Sequence, residues 1–278
     1  MQNFYVVCAA SSVIQKISTD DVVLGVTSVD DELFVLLQRE ENQVAVYSIN
    51  DYQLLRHINL PEFKPTERND MTSCVRHKCL YMSDCDNSCI HRYELASSTT
   101  SKWPVPVKPC GLSVTPSCNL LVTCACRGEI NTLVELSADS GECVREIELQ
   151  SDIKYPEHSV QLTTGDFVVC HGAGTSLHRV CVVGEDGKIT HSYGGRHGSK
   201  VGQMDYPSYL DKETQYIFVA DYLNGRVVLL SPTLEFVRYV IEGLSEPRRL
   251  HFHEATQRLF AGQYGCSVTV IQLLDVTC

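Results

Sequence analysis

"VADYLNGRVVLL" (residues 219–230) is an apolar run closed by Asp221, a turn punctuated by Asn224-Gly225, and a second apolar run behind Arg226. Two apolar segments flanking Asn-Gly read as a β-hairpin. Whether it is one hairpin or one copy of a repeat decides the fold. "YIFVADYLNGRVVLLS" (216–231) aligns without gaps on "CLYMSDCDNSCIHRYE" (79–94), placing Asp84 on Asp221, Asn87 on Asn224 and Ile90 on Val227. It also aligns on "RLFAGQYGCSVTVIQL" (258–273), where Gly262 replaces Asp221. Weaker copies are "LFVLLQREENQVAVYS" (33–48), "LLVTCACRGEINTLVELS" (120–137) and "DFVVCHGAGTSLHRVCVV" (166–183). Six copies spaced by roughly 40–50 residues match four-stranded propeller blades.

The surroundings repeat too. A short strand pattern precedes each copy ("GVTSV", "TSCVRH", "GLSVT", "HSVQL", "PSYLD", "PRRLHFH"), and another follows the first five ("LLRHINL", "SKWPVPV", "CVREIEL", "KITHSYG", "EFVRYVI"). The sixth copy lacks its fourth strand, and "SVIQKIS" (12–18) is available to supply it, closing the ring and leaving no open edge. The second strands ("LFVLL", "YIFVA") are apolar on both faces, as strands sandwiched between neighbouring blades must be. The expected fold is therefore all-β: one domain over 1–278, a six-bladed propeller of four-stranded antiparallel blades. The blades are expected near 25–63, 71–108, 110–150, 157–195, 207–242 and 247–274, with 12–18 completing the last. A β-sandwich of short strands is the weaker alternative.

The bulk numbers agree with a globular domain. Of 278 residues, 44% are hydrophobic and 21% charged, and the formal net charge of −11 argues against non-specific binding to nucleic acid or anionic membranes. No apolar stretch reaches the roughly 18 residues of a membrane span, and the N-terminal segment has no basic n-region, so no signal peptide is expected. The 14 cysteines mostly sit singly within apolar runs, which reads as reduced, buried thiols in a cytoplasmic protein.

The fifth unit, "YGGRHGSKVGQMDYPSYLDKETQYIFVADYLNGRVVLLS", resembles an NHL repeat: Gly194, Gly195, Gly198, Gly202, Pro207, Asp221, Asn224 and Arg226 carry the match. The second and sixth units match in part, the third and fourth only as blades. The resemblance implies a propeller like the C-terminal domain of tripartite-motif (TRIM) NHL ubiquitin ligases and Brat-type translational repressors, which recognise protein or RNA. No RING or B-box is present in the sequence, so a longer parent chain is one expectation.

Asp221 and Asn224, with their counterparts Asp84 and Asn87, read as structural staples of the hairpin turn. Candidate partner-binding residues lie on the face formed by the loops joining second to third strands and fourth strands to the next blade. That face is close to charge balance, so the chain's acidity lies mostly elsewhere. Blades four to six gather Arg196, Lys200, Arg226, Arg248 and Arg249 near Tyr209, Tyr222 and Tyr264 there, and Arg127 lies on the same face. Arginines among aromatics suit a protein-binding hot spot and equally suit phosphates and stacked bases of RNA. Protein recognition without catalysis is the expectation, with the substrate-selecting end of a ubiquitin ligase as one form of it, and RNA binding as the alternative. The isolated domain is expected to be a monomer with no cofactor.

Metal readings are weaker. Cys74, Cys79, Cys85 and Cys89 with His91 suggest zinc, but Cys79 and Cys85 would end opposite sides of one strand, roughly 20 Å apart at about 3.3 Å per residue. Two local pairs, Cys74 with Cys79 and Cys85 with Cys89, remain open, as does a redox role. His251 and His253 share a strand face, as in a metal-dependent propeller hydrolase or lyase, yet only His158 offers itself from the other first strands. The glycine-rich "YGGRHGSKVGQ" fits no phosphate-loop spacing and reads as an inter-blade loop. The lone Trp103 reads as blade packing.

Overall fold

The computed structural model describes residues 11–41, 43–125, 131–172, 174–213 and 216–273, in which the regular structure is β apart from one 3-10 turn at Glu254–Thr256. The strands fall into six four-stranded antiparallel sheets, here blades I to VI. Blade I contains β2 (Val23–Val29), β3 (Glu32–Leu37), β4 (Val44–Ser48) and β5 (Leu54–Ile58). Blade II contains β6 (Met71–Cys74), β7 (Cys79–Asp84), β8 (Cys89–Glu94) and β9 (Thr99–Pro104). Blade III is β10 (Pro109–Val114), β11 (Leu120–Cys124), β12 (Thr132–Leu136) and β13 (Cys143–Glu148). Blade IV is β14 (Pro156–Gln161), β15 (Phe167–His171), β16 (Arg179–Val183) and β17 (Ile189–Gly194). Blade V is β18 (Pro207–Glu213), β19 (Tyr216–Asp221), β20 (Arg226–Leu230) and β21 (Phe236–Glu242). Blade VI joins β22 (Pro247–His253), β23 (Arg258–Gln263) and β24 (Ser267–Leu273) to β1 (Ser11–Ser18), which pairs antiparallel with β24 from Ser11 opposite Leu273 to Ser18 opposite Ser267. The expected six-bladed propeller closed by the N-terminal strand is the observed fold.

The core is not one mass. It consists of six apolar clusters, each lying between two consecutive blades. Phe34, Tyr81, Phe218 and Phe260, fully buried in the second strands of blades I, II, V and VI, sit three residues before the end of their strands. Truncating any of them would cost about 3–5 kcal/mol. The fourth strands of blades I to IV show mostly exposed patterns instead, because they form the outer rim.

The first strands surround the central channel and share one local device. In blades I, III, IV, V and VI their pairing slips by one residue near the start, after Val23, Pro109, Pro156, Pro207 and Pro247. A proline opening a strand loses no ladder bond there, and the extra bulge residue re-aims its side chain. One layer down, the channel narrows to a waist formed by Gly25, Asp70, Gly111, His158, Tyr209 and Arg249, one from each blade. Gly111 is required by close approach: a Cβ there would lie 2.5 Å from the carbonyl oxygen of Glu157.

Candidate functional site

The bulges open onto a cavity of about 770 Å³ at the mouth of the channel, on the loop face. Cys110, Glu157 and Arg248 reach it from the bulges of blades III, IV and VI, and Arg68, Lys108, Tyr155 and Tyr206 come from inter-blade loops. Three rim glutamates each accept a tyrosine hydroxyl. Tyr264 donates to Glu67 at 2.9 Å, Tyr222 to Glu246 at 3.1 Å, and Tyr206 to Glu157 at 3.3 Å. Burial raises the Glu157 carboxyl above its ordinary value, opposed by Arg249 and Arg248. Arg248 lies 5.9 Å over the Tyr264 ring, and its guanidinium donates to the backbone oxygen of Glu67. Arg68 and Lys108, both exposed in the cavity lining, have no carboxylate within ion-pair distance among the described residues.

The waist floors the cavity. Arg249 spends its donors on the carbonyls of Leu24 (2.6 Å), Arg248 (3.0 Å) and Asn69 (2.9 Å), so it ties blade VI to blades I and II. Its Nε also lies 3.2 Å from Asp70 Oδ1, while Asp70 Oδ2 accepts the Leu112 amide at 2.8 Å. Burial nevertheless pushes the Asp70 carboxyl up to about 6, with Arg249 the chief opposing influence. His158 donates through Nε2 to the Leu112 carbonyl at 2.9 Å and stacks on Tyr209 with centroids 3.8 Å apart. Burial lowers it to about 3, so it is neutral near pH 7, and its 3.7 Å approach to Asp70 is not an ion pair. Its Nδ1 is buried without a hydrogen-bond partner. Chemically, the waist pairs a carboxyl able to exchange a proton near neutrality with a neutral imidazole acceptor.

Of the residues singled out from sequence, Tyr209, Arg248 and Arg249 meet at this cavity, with Tyr222 and Tyr264 on its rim. Arg196 and Lys200 are exposed on the loop between blades IV and V, outside the cavity lining. Two of the basic residues are not surface contacts. Arg226 is 3% exposed: it pairs with Asp221 at 2.7 Å, donates to the carbonyls of Ser199 and Gln203, and packs 4.4 Å over Tyr239. Arg249 is 7% exposed for the reasons above. Burial in both cases follows from backbone carbonyls that would otherwise lack donors. Arg127 lies outside the described residues. Asp70, His158, Arg68, Lys108 and the pair Cys85–Cys110 join the site without having been grouped from sequence. For His158 and Cys110 the signal is positional: five of the waist residues directly follow a bulge, which four times opens with proline, and Cys110 lies within one of those bulges.

The staple residues make the bonds of their turns. Asp221 accepts from Asn224 Nδ2 at 2.9 Å and from the Asp205 amide at 2.7 Å, and Asp84 accepts from the Asn87 amide and side chain at 3.1 and 2.9 Å. The cysteines separate. Cys74 and Cys79 are cross-strand neighbours, whereas Cys85 faces the cavity and Cys89 pairs with Asp84 across the next hairpin. Asp84, Cys89 and His91 offer an oxygen, a sulfur and a nitrogen within 4.8 Å of one another. That set could hold a metal ion, although Asp84 already bonds His91 at 3.0 Å, and a closed zinc site would need a fourth donor. His251 and His253 line the opposite mouth, where they bond Ser28 (2.7 Å) and Thr256 (2.8 Å). Trp103 packs against Tyr81 with centroids 5.5 Å apart. No helix among the described residues is long and apolar enough to cross a membrane.

The chain matches no protein-family model and no curated protein sequence. Solved structures do share its architecture. A streptogramin B lyase is 12% identical, with 95% of this chain and 98% of that one covered and a TM-score of 0.64. A catalytically inactive virginiamycin B lyase from Staphylococcus aureus with quinupristin is also 12% identical, covering 95% and 100% with a TM-score of 0.65. Kuenenia stuttgartiensis hydrazine synthase is 14% identical, covering 92% and 97% with a TM-score of 0.65. These neighbours are enzymes, which overturns the expectation that the propeller marks a non-catalytic module. At 12–14% identity the likeness concerns fold alone, and the NHL resemblance is not confirmed by it. What the chain shares with these proteins is the six-bladed β-propeller.

Proposed function

We propose that this propeller recognises a protein partner through its loop face, seating an acidic side chain or chain end of that partner in the channel-mouth cavity. One observation carries the reading: the cavity's glutamates are answered by tyrosines, while Arg68 and Lys108 face the same space with no carboxylate within ion-pair distance among the described residues. The surrounding loops add exposed apolar side chains, Val201 at 60% and Leu223 at 55%, beside Arg196, Lys200 and Tyr222. Tyrosine and arginine around an apolar contact are the usual composition of an interface hot spot. The burial of Arg226 and Arg249 leaves fewer cations for a phosphate backbone and so favours protein over RNA. The NHL-like fifth unit further supports a role in substrate selection for a ubiquitin ligase, and a cytoplasmic setting suits the reduced cysteines.

The test places a photo-crosslinking residue at Leu223 on the loop face and, separately, at Val144 on β13. Discrete protein adducts from Leu223 alone, weakened by Arg68→Glu with Lys108→Glu, are expected. Equal adducts from both positions, or adducts to RNA only, would overturn the proposal.

A further inference from the structure

We propose that Cys85 and Cys110 form a reversible dithiol–disulfide couple that bridges blades II and III at the cavity wall. Cys85 directly follows β7, and Cys110 sits in the bulge of β10. The two strands are held at this level by Ser83 Oγ, which donates to the carbonyl of Cys110 at 2.9 Å. Both sulfurs belong to the lining of the same cavity, neither is in a disulfide, and each thiol acts directly on the protonation of the other. Arg68 and Lys108 stand over Cys85 from the same wall. Glu157 and Cys124 also bear on Cys110 and help to raise its thiol.

This arrangement separates Cys85 from the other thiols. The hydrogen bond from Cys110, then the positive charge of Arg68 and Lys108, hold Cys85 down to about 6, whereas Cys110 is pushed up by its neighbour and by burial. Elsewhere burial is the chief influence that raises the thiols of Cys74, Cys79, Cys89 and Cys170, and takes Cys181 up to about 12, with nearby acidic or thiol groups adding to it. A thiolate beside cations with a second thiol in contact is the arrangement of a redox-active pair.

The co-reactant is a hydroperoxide. The Cys85 thiolate attacks its outer oxygen, the O–O bond breaks, and Cys85 becomes a sulfenic acid as the remaining oxygen leaves with a proton. The Cys110 sulfur then attacks the Cys85 sulfur. The S–O bond breaks, the disulfide forms, and the departing hydroxide takes the Cys110 proton as water. The two thiols lose two electrons to the peroxide, and a dithiol returns them by exchange.

The experiment treats the full chain with hydrogen peroxide, blocks the remaining thiols, and maps linked peptides by mass spectrometry. A Cys85–Cys110 peptide should appear before other bridges, disappear on adding dithiothreitol, and persist in Cys124→Ser. In Cys110→Ser the bridge should be lost, leaving a sulfenic acid on Cys85 that dimedone traps. A first bridge from Cys110 to Cys124, or no bridge in the folded wild-type chain, would overturn the proposal. Without oxidant, alkylation of Cys85 should fall to half as pH drops through about 6, against about 8.5 for an ordinary thiol. Half-labelling at the ordinary value would also count against it. Neither readout needs a partner, so failure here is distinct from failure of the recognition reading.

Discussion

Blades II and V carry the same hairpin and use it differently. In blade V, Asp221, Asn224, Gly225 and Arg226 close the turn and also reach outward, with Asp221, Asn224 and Arg226 together bonding Gly198, Ser199, Gln203 and Asp205 of the loop that brings the chain in from blade IV. In blade II the matching residues are Asp84, Asn87, Ser88 and Cys89. Among the described residues the carboxylate here bonds only Asn87 and His91. The incoming loop of blade II is already held from elsewhere, by Gln43, which bonds Leu60 and Phe63, and by Arg249, which bonds Asn69. The hairpin is thus a general clamp whose outer half is dispensable where a neighbour does its task, and an arginine position has become a cysteine.

The comparison breaks most sharply at the carboxylates. Asp221→Ala leaves Arg226 buried and strips two other donors of their acceptor, so a loss of about 3–5 kcal/mol is expected in denaturant unfolding. A loss below about 1 kcal/mol would mean that the loop is held without the clamp. Gly225→Ser comes next. Gly225 has φ 61°, and a Cβ would lie 2.6 Å from the carbonyl oxygen of Leu244, so about 2–3 kcal/mol should be lost.

Asp84→Ala should cost less, about 1–2 kcal/mol, because it removes the bonds to Asn87 and His91 but strands no buried arginine. Its pH dependence sharpens the point. Burial alone would raise Asp84, but the bonds from Asn87 and His91 outweigh burial and lower it. A folded value below the unfolded one gives stability that is present above about pH 4 and is lost as pH falls through the folded value. Asp84→Asn should therefore flatten the acid limb of the stability curve, and an unchanged limb would contradict the lowered value. The smallest effect belongs to Ser88, which occupies the Gly225 position at φ 48°. Ser88→Gly relieves that strain at the cost of chain entropy, so a change within about 0.5 kcal/mol is expected, on the stabilising side. If it destabilised by more, the two turns would not be equivalent.

The repeat was legible because a blade's identity resides in local pattern. Apolar second strands, turn residues and spacing all lie within one stretch of chain, and the spare strand at 12–18 announced the closure. The candidate site was legible only in part. Arg248 and Arg249 are adjacent in sequence, yet the bulge at Pro247 sends one into the cavity and the other into the waist. Arg226 looked like a surface cation because nothing local shows that the carbonyls of Ser199 and Gln203 fold over it.

The sequence by itself determined the six blades, the closing strand and the hairpins, since strand period and turn chemistry act over a few residues. Tertiary structure alone decided which side chains meet. Asp70, His158, Tyr209 and Arg249 come from four blades, and Cys85 and Cys110 from two. The protonation of Asp70, His158 and Cys85 follows from burial and from neighbouring groups brought together only once the ring has closed.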